Sequence, residues 1–161
     1  ETEEVQAEEL EICLRALWPG PPDTRSSMAN LASTYRNQGR WAEAESLDLQ
    51  VMEIRKRVLG PEHPDTLTSM ADLALTYRNQ GRWAEAENLQ AKALEIRLRV
   101  LGPEHPDTLT GINNLACTWK GQGRHDDALD LMRRCVQLSQ QVLGPHHPRT
   151  MSRLCELDIW Q

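Results

Sequence analysis

Between Thr66 and Gln80 the apolar residues Leu67, Met70, Leu73, Ala74 and Tyr77 fall three and four apart. That spacing puts them on one stripe of a helix, with polar residues on the rest of its circumference. Gly60 and Pro61 stop the helix before it, Pro64-Asp65-Thr66 suits a first turn, and Gly81 ends the element. A second amphipathic segment is predicted from about Trp83 to Val100, with Ala86, Leu89, Ala93, Ile96 and Val100 facing inward. Glu85 and Glu87 near its start and Arg97 and Arg99 near its end suit the helix dipole. The single glycine-centred turn between the two forces them antiparallel. Small residues such as Ala74 and Ala86 let the backbones approach closely.

This 42-residue pattern recurs: Leu17–Val58, Leu59–Val100 and Leu101–Val142 align without a gap. The first copy repeats it through Met28, Leu31, Ala32, Tyr35, Gly39, Trp41, Ala44 and Leu47. The third does so through Ile112, Leu115, Ala116, Trp119, Gly123, Ala128 and Leu131. Residues 1–16 match a second helix alone, because Leu10-Glu11-Ile12 aligns with Met52-Glu53-Ile54. Residues 143–161 match a first helix alone through Met151, Leu154 and Leu157. The predicted organisation is therefore one array over 1–161. It has a half repeat (1–16), three repeats (17–58, 59–100, 101–142) and another half (143–161), about eight helices in all. A period of this length means stacked units rather than a globule around one centre.

Met70, Leu73, Ala74, Tyr77, Gly81 and Ala86 occupy the signature places of the tetratricopeptide repeat, which the chain resembles throughout. The usual period is 34; here a longer second helix and exit loop extend it. The long unit, with its loop Leu59–Thr66 repeated at Leu101–Thr108, is similar to the repeats of kinesin light chains. Similar arrays occur in fungal NLR-type (STAND) proteins. The resemblance implies an all-α, right-handed α-solenoid of antiparallel helix pairs, with first helices on the concave wall. Several positions depart from the pattern. The usual aromatic of the second helix is Asp48, Gln90 and Met132, His125 replaces the tryptophan of Trp41 and Trp83, and Asp158 stands where Ala32, Ala74 and Ala116 are small. Asp158 is expected either to alter the packing of the last helix or to face water.

Composition narrows the function. The chain of 161 residues has no Phe, so Leu, Ala, Met, Ile and Val must fill the interior. A net charge of −6 argues against a general nucleic-acid binder, which needs a basic face. No apolar run approaches a membrane span. The four cysteines, Cys13, Cys117, Cys135 and Cys155, lack CxxC spacing and read as reduced thiols, which favours a cytoplasmic setting. The chain starts at Glu1 inside what reads as a helix and is expected to be an excised piece of a longer protein. No Walker lysine loop or GxSxG is present, and the carboxylates lie on regular wet faces, so no enzyme is predicted. His63, His105 and the pair His146-His147 lie in repeated loops that offer no fixed set of four zinc ligands. They read as loop structure, and neither metal nor cofactor is predicted.

Polar residues between the apolar stripes of the first helices are the binding candidates: Ser26, Asn30, Ser33, Arg36 and Asn37, then Thr68, Asp72, Leu75, Arg78 and Asn79, then Thr110, Asn113, Asn114, Cys117 and Lys120. An Asn amide both donates and accepts, so it can pair with a bound backbone, and Arg can grip a carboxylate. The resemblance implies that Asn at the places of Asn30 and Asn114 holds a peptide main chain. The expected function is a protein-interaction scaffold whose groove takes an extended, acidic segment, with Asp72 repelling acid locally. An equally open reading makes these residues solvated polar faces. The alternative function is self-assembly, or a regulatory or sensor module of a larger protein. Ile12, Leu14, Leu157, Ile159 and Trp160 would then be end residues without neighbours, free to form a homo-oligomer.

Overall fold

The computed structural model describes residues 22–161. Seven helices lie among them: α1 (Pro22–Asn37), α2 (Trp41–Leu59), α3 (Pro64–Asn79), α4 (Trp83–Val100), α5 (Pro106–Gly121), α6 (His125–Val142) and α7 (Pro148–Trp160). The expected helix within 1–16, with Ile12 and Leu14, falls outside the described residues. The chain forms two compact units, Glu1–Gly81 and Arg82–Gln161.

In unit 1, α1 and α2 bury Met28, Leu31, Ala32, Leu47, Val51 and Ile54 around one core, with Tyr35 packed against it. Leu67, Leu73 and Ala74 of α3 are also buried. In unit 2 the core joins Leu94, Leu109, Ile112, Leu115, Ala116, Met132, Cys135, Val136 and Leu157. The apolar stripes are largely those that helical spacing marks, with corrections: Leu89 and Ile96 are only half-buried where Leu94 is buried, Met151 is 52% exposed, and Trp160 packs against the unit 2 core. Val100, the last residue of α4, is 52% exposed. Leu157 is only 8% exposed, because α5 and α6 already supply its core. Asp158 faces water.

Local chemistry sets the helix ends. At α3, α5 and α7 the cap is a histidine: Nδ1 of His63, His105 and His147 accepts from the backbone N–H of Asp65, Asp107 and Arg149, at 3.1 Å each time. Proline follows as the first helical residue, where its missing N–H costs nothing. This is the structural role of the loop histidines. Second helices begin on arginine instead. Arg40 stacks over Tyr35 at 4.3 Å and pairs with Glu43, and Arg124 stacks over Trp119 at 4.4 Å and pairs with Asp127 at 3.2 Å. The turn before each second helix needs a positive φ, met by Gly39 at 77° and Gly123 at 85°.

Candidate functional site

The polar faces of the first helices differ from unit to unit, and the cause is buried. In unit 1, Asp48 on α2 is 4% exposed. The Arg36 guanidinium donates to both its oxygens, at 3.0 and 2.9 Å, and Thr76 Oγ1 donates to Oδ2 at 2.7 Å. Burial pushes the Asp48 carboxyl above its ordinary value; Thr76 and then Arg36 pull it back without cancelling that cost. Arg36, expected to point into a groove, is thereby drawn inward, and its side chain is 11% exposed. Asp72 on α3 is half-buried, and burial raises its carboxyl pKa too. Arg36 lowers it, Asp48 raises it further, and Arg55 lowers it. Asn30, Asn37 and Asn79 are exposed, while Ser33 and Arg78 are half-buried.

Unit 2 uses neutral groups at the matching place. Thr118 Oγ1 donates to Gln90 Oε1 at 2.6 Å, the same 28-residue separation as Thr76 to Asp48. One repeat further on the position is Met132, fully buried. No acid there recruits Lys120, whose ammonium lies over the Trp160 ring at 4.6 Å. Asn113 and Asn114 are half-buried on α5. Cys117 Sγ sits 3.7 Å from Glu156 Oε2. Below this face Glu87 accepts from Trp119 Nε1 at 2.9 Å, Gln122 Nε2 at 2.8 Å and Arg124 Nη1 at 3.0 Å, and these donors hold its carboxyl below the ordinary range. Sequence reasoning flagged Asp48 and Gln90 only as departures. The usable signal was a threonine 28 residues after each.

Among the described residues, no cluster of three His, Cys, Asp or Glu side chains is placed to hold a metal. Cys117, Cys135 and Cys155 form no disulfide among the described residues, and of the three only Cys135 is fully buried. No helix among the described residues is long and apolar enough to cross a membrane. These faces offer amides, cations and the half-buried Asp72 carboxylate.

The comparisons agree with this architecture. No curated protein matches the chain by sequence. Among solved structures, it is similar to a Podosopora anserina kinesin-light-chain-type protein with nearly identical TPR-like repeats: 28% identity, TM-score 0.84, covering 98% of this chain and 74% of that one. BtubC (BKLC) from P. vanneervenii shares the fold, with a TM-score of 0.77 at 21% identity over 98% of this chain and 64% of that one. So does the apo form of RapI, with a TM-score of 0.71 at 16% identity over 86% and 48%. Repeat proteins of this kind are generally protein-interaction scaffolds and typically non-catalytic. The family model described as "Tetratricopeptide repeat" matches residues 23–98 and 71–134, and with that match over helix pairs of this geometry, the chain belongs to the tetratricopeptide-repeat family.

Proposed function

We propose that the chain is a non-catalytic interaction module whose first-helix faces hold an extended, acidic segment of a partner protein. The observation that carries this reading is the repeated polar register on first helices whose apolar stripes are buried. Asn30, Asn37 and Asn79 are exposed to a bound backbone in unit 1, and in unit 2 the half-buried Asn114 and Lys120 take the matching places. The helices are preformed, so little ordering cost falls on this side of a complex. Among the described residues Cys117, Cys135 and Cys155 form no disulfide, which suits a reducing compartment such as the cytoplasm.

The test compares binding of an Asp/Glu-rich peptide, by fluorescence anisotropy, between wild type and the double variant Asn114→Ala plus Lys120→Glu. The expected result is a loss of at least about tenfold, the scale of charge-assisted hydrogen bonds. Equal affinity in both proteins would remove the reading. Arg36 is left intact because its loss would unsettle the core through Asp48.

A second reading is self-assembly, favoured by Ile159 at 78% and Met151 at 52% exposure on α7. Light scattering across concentration decides it, with Ile159→Glu expected to abolish any dimer; a monomer at every concentration removes it.

A further inference from the structure

One pair of positions recurs where a second helix crosses the next first helix, and in one case it is incomplete. In unit 1, Arg55 Nη1 donates to Ser69 Oγ at 2.7 Å and to the Asp65 carbonyl at 3.3 Å. Between α6 and α7 the two residue types trade places: Arg153 Nη1 donates to Ser139 Oγ at 2.6 Å, and Nη2 to Thr110 Oγ1 at 3.3 Å. Each of these guanidiniums has two acceptors. The α4–α5 crossing places Arg97 against Gly111, with no hydroxyl. A Cβ built on Gly111 would lie 3.4 Å from Arg97 Nη1, so the guanidinium tip sits directly over the bare glycine.

Arg97 is only 9% exposed, and no acceptor among the described residues holds its guanidinium. Asp107 attracts it from a distance without a hydrogen bond. One turn before Gly111, the buried Thr108 hydroxyl also lacks a partner, whereas its counterpart Thr66 donates to the Gly60 carbonyl at 2.8 Å. Among the described residues none of its nitrogens is both cut off from water and unpartnered, so the guanidinium still meets solvent, and the acceptor that suits it best is a carboxylate, which can take two parallel bonds. Glycine inside a helix also costs stability, and it marks places where another group comes close to the backbone.

We propose that Arg97, above Gly111, anchors a carboxylate of the bound partner segment. This rests on the groove reading and assigns it a specific recognition point. Asp107 is the opposing influence: it is exposed, and its attraction for Arg97 competes with a bound anion.

The assignment predicts three affinities for the Asp/Glu-rich peptide and for its Asn/Gln counterpart. Gly111→Ser supplies Arg97 with the hydroxyl that Arg55 and Arg153 already have, and should weaken the acidic peptide roughly tenfold. Arg97→Met, which keeps the stem and removes a buried charge, should weaken it at least as much. Asp107→Asn should tighten it by about two- to threefold, through lost repulsion. The Asn/Gln peptide should respond to none of the three. A thermal melt of each variant confirms folding; should Gly111→Ser melt early, the Arg97→Met and Asp107→Asn pair carries the test. Unchanged acidic-peptide affinity in folded Arg97→Met overturns the proposal even where Asn114→Ala plus Lys120→Glu abolishes binding. No binding by wild type removes both readings together.

Discussion

Units 1 and 2 are built on the same repeat, yet they solve the same buried position in opposite ways. In unit 1 the position is Asp48, and the acid draws Arg36 off the first-helix face and a hydroxyl from Thr76. In unit 2 it is Gln90, a neutral amide whose oxygen accepts from Thr118, and then Met132, which needs nothing. The lesson concerns availability. A cation on a first helix is free for a partner only if the second-helix residue twelve positions on does not bury it. Arg36 and Lys120 stand 84 residues apart in the same register, and one is locked into a core ion pair while the other covers an aromatic ring.

The sharpest way to break this comparison is to remove the acid. Asp48→Ala leaves the Arg36 guanidinium without its acceptor, while the Thr76 hydroxyl keeps the Asp72 carbonyl at 3.2 Å, and is expected to destabilise by about 3–5 kcal/mol, as for other broken buried pairs. Gln90→Ala in unit 2 removes one hydrogen bond from Thr118, whose hydroxyl keeps the Asn114 carbonyl at 3.1 Å, and should cost about 0.5–1.5 kcal/mol. Urea unfolding of both variants measures the gap; equal losses would show that the charge adds nothing.

A packing test comes next. A Cβ at Gly121 would lie 2.4–2.8 Å from ring atoms of Trp83, so Gly121→Ala must displace the indole. An overpacking cost of about 1–3 kcal/mol is expected, read from the thermal midpoint. The matching residue in unit 1 is Asn79, which already carries a side chain, so Asn79→Ala should change the midpoint little.

The caps should be equivalent in the two units. His63→Ala and His105→Ala each remove an Nδ1 acceptor from a helix start and should each cost about 1 kcal/mol. Hydrogen exchange of the first-turn amides in α3 and α5 locates the effect. A loss in only one would mean that the shared geometry has unequal weight.

The smallest expected effect is a gain. The Asp72 pKa is raised above its ordinary 3.8 by burial, so this group favours the fold most in acid, and that favour is lost as pH rises through the raised value. Asp72→Asn removes the penalty and should stabilise the protein at pH 7. The advantage should shrink toward zero as pH falls below 3.8. Paired urea melts at neutral and acid pH check the sign.

Most of the helical framework was legible because apolar spacing, glycine and proline are local signals repeated three times. The stripe from Leu67 to Tyr77 and the pairing of α3 with a short turn needed no long-range information. The site was less legible. Asn30, Asn79 and Lys120 sit on first-helix faces as the register indicates. Arg36 does not, because its position depends on a carboxylate from another helix. Arg97 read only as a cation suited to the end of its helix, and the structure buries it over Gly111.

By itself, then, the chain's periodicity settled the kind of element, its length and its apolar side, since those follow from backbone geometry and the cost of wetting hydrocarbon. Which polar groups remain available was decided only when helices met, because a charge taken from water must find a counter-group in three dimensions. The residues that supply it, twelve to twenty-eight positions away, carry no mark of that duty in their own neighbourhood.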